Sequence, residues 1–141
     1  MIFLDSGAMI ALYHEADPFR EAAIDGFARL EQSDETVATT PLCIAETLSV
    51  LGQMTDHAST ARIALEILDW DMEVIRTTLA EEKRAARLME SYSAKRVGYV
   101  DCISFVVMDA RATRTAFTFD AEHFVKVRKL KTWVPIPRTR R

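Results

Sequence analysis

The chain has no long apolar run. None of its 141 residues belong to a stretch approaching the roughly 20 consecutive apolar residues that a membrane-spanning helix needs. The opening Met1-Ile2-Phe3-Leu4 meets Asp5 too early for a signal peptide. A soluble, cytoplasmic protein is expected. Cysteine is scarce: Cys43 and Cys102 each sit in an apolar segment, with no CxxC pair or Cys/His cluster to suggest zinc. Both are predicted to be buried free thiols, and a disulfide is not expected in a reducing compartment. Internal repeats, low-complexity tracts and linkers are also missing. No aromatic RNA-reading motif of the RNP type is present.

Acidic residues are absent after Glu122. From His123 to Arg141 there are seven cations, Lys126, Arg128, Lys129, Lys131, Arg138, Arg140 and Arg141. The net charge is −3, so with +7 in that segment the first 122 residues carry −10. A basic end on an acidic body suits a phosphate-rich partner, because cations gain by releasing counterions from a phosphate backbone. A solvated tail that aids solubility fits equally well.

What is present is ordinary globular material, 49% hydrophobic and 28% charged. This length predicts a single domain over 1–141, with a basic tail from about residue 135. Apolar Ile2-Phe3-Leu4 reads as a strand that Asp5-Ser6-Gly7 stops, opening a helix. Asp17-Pro18 starts a second helix reaching about Gln32. Glu35 to Thr39 reads as a strand, and Thr40-Pro41 starts a helix to about Met54. A helix over Asp56 to Trp70 is predicted, with Ala58, Ala61, Ala64, Leu65 and Leu68 facing the core. Met72 to Ile75 is a short strand, and Thr77 to Lys95 a long amphipathic helix carrying Leu79, Ala86, Leu88 and Met89. Its Glu81-Glu82-Lys83-Arg84 run is read as a solvated face with i,i+4 pairs. Val100 to Thr113 is a helix, Thr115 to Phe119 a strand, and Thr132 to Val134 the last strand. Met9, Met54, Met72, Met89 and Met108 are assigned to the core. Strands alternating with helices predict an α/β fold: three layers, α/β/α, around a mainly parallel sheet of four to five strands.

Four carboxylates stand alone in apolar stretches. Asp5 is the only acid before Glu15, and Glu46 the only charge from Val37 to Met54. Asp101 is the only charge between Val97 and Met108, and Asp120 the only one between Thr115 and Ala121. Each has a structural reading: Asp5 as a helix cap, Glu46 as a surface residue. Yet an ionised carboxylate in apolar surroundings is costly unless a partner or a metal compensates it. The predicted elements put all four at one edge of the sheet, the edge where open α/β folds bind ligands. Acids gathered there need a counter-charge, which Mg²⁺ or Mn²⁺ supplies through oxygen ligands. Such a site is suited to phosphodiester hydrolysis. Thr118 and Ser104 are candidates to orient a carboxylate or a water, although both also fit as packing residues. His123 adjoins Asp120 and is read first as a surface or packing histidine, with contact to a substrate phosphate as the other reading.

Asp5-Ser6 after an apolar strand, the isolated Glu46, Val100-Asp101-Cys102-Ile103-Ser104-Phe105, and Thr118-Phe119-Asp120-Ala121-Glu122-His123-Phe124 together resemble the PIN domain family, in its VapC-like toxin branch. The resemblance covers nearly the whole chain. It implies a Mg²⁺- or Mn²⁺-dependent endoribonuclease acting on RNA, commonly a homodimer, held inactive by a small antitoxin in the acidic pocket. By the same resemblance the family's acidic positions fall on Asp5, Glu46, Asp101 and Asp120, and its hydroxyl on Thr118. Ser6 replaces the commoner Thr. Val125-Lys126-Val127-Arg128-Lys129-Leu130 stands where many relatives have a glycine-containing turn.

Two other readings use the same residues. One is a module that binds a metal or a partner's arginine without turnover. The other is a phosphoacceptor or phosphatase with Asp5 as nucleophile; Gly7, where an Asp-x-Asp phosphatase has its second acid, counts against it.

Overall fold

The structure is a computed structural model that describes residues 1–139; Arg140 and Arg141, the last two cations of the basic end, lie outside the described residues. Five parallel strands, β1 (Ile2–Leu4), β2 (Val37–Thr39), β3 (Glu73–Val74), β4 (Thr115–Phe117) and β5 (Lys131–Thr132), form one sheet in the order β3-β2-β1-β4-β5. Helices cover the sheet in the expected three-layer α/β/α arrangement. They are α1 (Ser6–Tyr13), α2 (Arg20–Glu31), α3 (Pro41–Gly52), α4 (His57–Leu68), α5 (Leu79–Ser91) and α6 (Tyr99–Ala110).

The caps follow the sequence. Thr40, Asp56 and Thr78 each accept a backbone N–H with the side chain, and Thr78 and Glu81 complete a reciprocal capping box. Asp17 behaves differently: its Oδ1 accepts from Phe19 N at 2.8 Å, closing a turn, so α2 begins at Arg20 and not at Asp17-Pro18. The long helix expected to Lys95 ends at Ser91 and tightens into a 3₁₀ turn, Ser93–Lys95. The last strand is shifted to Lys131–Thr132. Before it, Ala121–Val127 forms a π-helical turn that periodicity did not suggest.

β1 is central and wholly buried, and Phe3, Phe105, Phe117 and Phe124 are the largest side chains fully out of water. Gly26 lets α2 press on β4: a Cβ there would lie 2.4 Å from Phe117 Cζ. Phe27 meets both Phe117 and Trp70, and Trp133 Nε1 donates to Gly26 O at 3.0 Å. Cys43 and Cys102 are buried free thiols, as expected.

Two helix faces were misread. On α4 the buried residue is Ile67, with Ile63 packed beside it, while Leu65 and Leu68 are 67% and 61% exposed. On α5 Ala85 is buried, and Ala86, Leu79 and Met89 are exposed. In each, several small or apolar residues satisfy helical spacing on more than one face, so packing decides which face turns inward. Met54 and Met89 are accordingly surface residues, whereas Met9 and Met108 are core. Among the described residues no ion pair forms within Glu81 to Arg84; Glu81 is used in the cap.

Candidate active site

In a parallel sheet every strand ends on the same edge, and register decides which residues face one another there. Leu4 pairs with Phe117, so the next residues, Asp5 and Thr118, leave the sheet side by side. Asp5 N donates to Phe117 O, and Thr118 Oγ1 donates to Asp5 Oδ2 at 2.7 Å. Asp5 Oδ1 accepts from Ser6 N at 2.8 Å, so the carboxylate caps α1 and faces the cleft at once. The capping role and the site role are not alternatives.

Glu46 lies in the second turn of α3 and leans back to this edge. Its Oε1 accepts from Ser6 Oγ at 2.5 Å, which keeps the hydroxyl beside Asp5 in use. Asp101 sits in the first turn of α6, and Asp120 caps the π-helical turn by accepting from His123 N at 2.9 Å. A cleft of about 500 Å³ is lined by Asp5, Glu46, Asp101 and Asp120, with Phe19, Phe119 and Tyr99 among its apolar walls. The rings of Phe19 and Phe119 stack 4.9 Å apart. All four isolated acids thus share one cleft.

Electrostatics bear the strain of that gathering. Asp5 is only 4% exposed, and burial first, then the nearby Asp101 charge, raise its pKa to about 7 against the opposing hydrogen bond from Thr118. Burial, then Asp120 and Glu46, raise Asp101 to about 6, with His123 opposing. The cleft therefore favours positive charge.

His123, read from sequence as a surface or packing residue, belongs to this cluster. Its Nδ1 lies 3.1 Å from Asp120 Oδ2 and 3.5 Å from Asp101 Oδ2. Asp101, Asp120 and His123 offer ligand atoms all within 4.8 Å of one another. The only sequence signal was the three-residue spacing from Asp120, which does not point to Asp101 at all. Asp17 was also missed as a fifth acid in the cleft wall, because it read as a helix start. Ser104 corrects in the other direction: it is fully buried, donates to Val100 O and approaches Cys43 Sγ, so it serves packing between α3 and α6 and not a carboxylate.

Parallel strands with one buried and three half-buried acids at their carboxyl edge define an α/β domain with an acidic cleft where such folds bind ligands. The PIN domain family model matches residues 2–130, and the chain belongs to that family. Ribonuclease VapC26 of Mycobacterium tuberculosis is 24% identical over 129 residues, covering 92% of this chain and 93% of that protein. The crystal structure of Mycobacterium tuberculosis VapC20, a sarcin-ricin loop cleaving toxin, superposes with a TM-score of 0.77 at 23% identity, over 86% of this chain and 91% of that one. Rickettsia felis VapBC2, solved bound to a DNA fragment from its promoter, gives 0.66 at 16% identity, over 94% and 97%.

Proposed function

We propose that this protein is a divalent-metal-dependent endoribonuclease, the toxin of a toxin-antitoxin pair. The observation that carries the reading is the convergence of Asp5, Glu46, Asp101 and Asp120 in one cleft with the pKa of Asp5 pushed to about 7. Family membership and the likeness to named ribonuclease toxins support it.

The donor set fits a hard cation: carboxylate oxygens predominate, burial first and the neighbouring carboxylates second raise the pKa of Asp5 and Asp101, and among the described residues no Lys or Arg lines the cleft. Asp5, Glu46, Asp101 and Asp120 would hold Mg²⁺ or Mn²⁺, which when bound supplies Lewis-acid polarisation of a phosphoryl oxygen and a nucleophile from water at neutral pH. The chain's own groups orient the acids. Thr118 holds Asp5 Oδ2, and Ser6 holds Glu46 Oε1. His123 restrains Asp120 through its backbone N–H. Phe19 and Phe119 wall the cleft and limit the water beside the reacting phosphate.

The reading includes RNA as substrate, a small antitoxin that fills the acidic cleft, a homodimer, a cytoplasmic location and a single domain over 1–141 with a basic end. Exposed Leu65 and Leu68 support an apolar docking face on α4. Among the described residues no helix is long and apolar enough to cross a membrane.

The test is cleavage of a mixed RNA pool with Mn²⁺, with Mg²⁺ and with EDTA, beside Asp101→Asn purified identically. Cleavage that requires metal and vanishes in the variant establishes the activity. Metal binding without cleavage by the wild type on any RNA overturns it in favour of a non-catalytic binding module.

A further inference from the structure

Arg84 and Arg87 lie on the exposed surface of α5, and among the described residues neither is paired with a carboxylate. They line a groove of about 300 Å³ together with Arg128, Asp109 and Ser91. Arg128 is held in place there: it donates to Tyr92 Oη at 3.1 Å and to Asp109 Oδ2 at 2.6 Å, and its guanidinium lies 5.5 Å from the Phe105 ring centroid. The groove is lined by three arginines and one carboxylate, which Arg128 already engages. In a chain of net charge −3 this groove is a local excess of positive charge.

Its position relates it to the acidic cleft. α6 starts at the cleft with Asp101 and reaches the groove at Asp109, eight residues or about 12 Å along the helix. The π-helical turn runs the same way, from Asp120 in the cleft to Arg128 in the groove. Over the surface, Tyr92 leads through exposed Lys95 and Arg96 to Gly98 and Tyr99 in the cleft wall. Two exposed cations, Lys95 and Arg96, thus lie in the segment that joins the groove to the cleft wall.

We propose that the groove binds backbone phosphates of single-stranded RNA, a short run of nucleotides from the bond that is cut. The proposal rests on the nuclease reading for its substrate. Arginine suits this task because its planar fork meets phosphate oxygens in pairs. Contacts of this kind set register and affinity without reading sequence. They also separate the two jobs: the acids hold cations at the scissile phosphate, and the arginines, set apart from them, attract the flanking polyanion.

The experiment compares wild type with R84A/R87A, both with Mn²⁺, on a long single-stranded RNA and on a tetranucleotide containing the same cleaved step. Both substituted side chains are exposed and, among the described residues, paired with no carboxylate, so the melting temperature should be unchanged. On the long RNA, KM rises about tenfold with kcat unchanged. The salt slope of log(1/KM) falls by about 1.4 if two phosphate contacts are lost. On the tetranucleotide the two proteins are equal, and Lys at both positions restores part of the lost affinity. Equal losses on both substrates, or no change on either, overturn the proposal. Should the wild type cleave neither RNA, the nuclease reading fails by itself, and anisotropy with the long RNA still decides the groove: tenfold weaker binding by R84A/R87A supports it. Unchanged RNA binding with loss of a polyglutamate interaction would reassign the groove to an acidic protein partner.

Discussion

Thr118 Oγ1 donates a 2.7 Å hydrogen bond to Asp5 Oδ2 across 113 positions of sequence. The same hydroxyl accepts from Asp120 N at 3.1 Å, so one side chain ties the first acid to the last. Thr118→Val keeps the shape and removes both bonds. It should lower kcat/KM about tenfold and cost about 1–3 kcal/mol of stability, since a buried acceptor loses its donor. Thr118→Ser should recover most of both. RNA cleavage and denaturant melts check this.

The metal-free protein should lose stability as pH rises. In the unfolded chain Asp5 ionises near 3.8, but in the folded chain it holds its proton to about 7. Between those values the folded state binds more protons, so the free energy of unfolding falls with pH and levels off above about 7. Asp101, raised to about 6, adds in the same direction, and the two are coupled, so their effects do not sum. Denaturant melts in EDTA at pH 5 and pH 8 measure the drop. Asp5→Asn should flatten it.

Mg²⁺ or Mn²⁺ at pH 8 should raise the melting temperature of the wild type, because it binds the folded cleft and not the unfolded chain. Asp101→Asn should shrink that shift while leaving the metal-free protein as stable or more so, since one repelling charge is gone. Thermal melts with and without metal decide it: if Asp101→Asn unfolds the domain and neither form responds to metal, Asp101 is a structural residue.

Gly26→Ala should destabilise the fold by about 1–3 kcal/mol, the usual cost of overpacking. The added methyl would sit 2.4 Å from a ring carbon of Phe117, which is itself wedged against Phe27 and Phe119. Urea titration checks it.

Ala112→Gly should stabilise slightly, by a few tenths to about 1 kcal/mol. Ala112, two residues beyond α6, has a φ of 51°, a left-handed conformation that costs an L-residue about 1–2 kcal/mol, partly offset by glycine's larger unfolded-state entropy. Thr113 N still bonds Met108 O behind it. Lys129, with φ 61°, takes the left-handed position in the turn before β5 without a glycine, and Lys129→Gly should act alike. Both are read by denaturant melts.

By itself the sequence determined the alternation of strands and helices, and hence the parallel sheet. It also determined which acids stand alone in apolar segments: a charge there is costly wherever the chain goes, so Asp5, Glu46, Asp101 and Asp120 could be picked out before their positions were known. Tertiary structure alone decided the rest. His123 reaches Asp101 only because the π-helical turn folds back over α6, a contact between residues distant in sequence. Ile67 is buried and Leu65 and Leu68 are exposed because helical periodicity defines faces but not which one meets the sheet. Arg84, Arg87 and Arg128 meet in one groove only because α5, α6 and the π-helical turn pack together. Local patterns report the cost of burying a residue, whereas its neighbours depend on how elements dock.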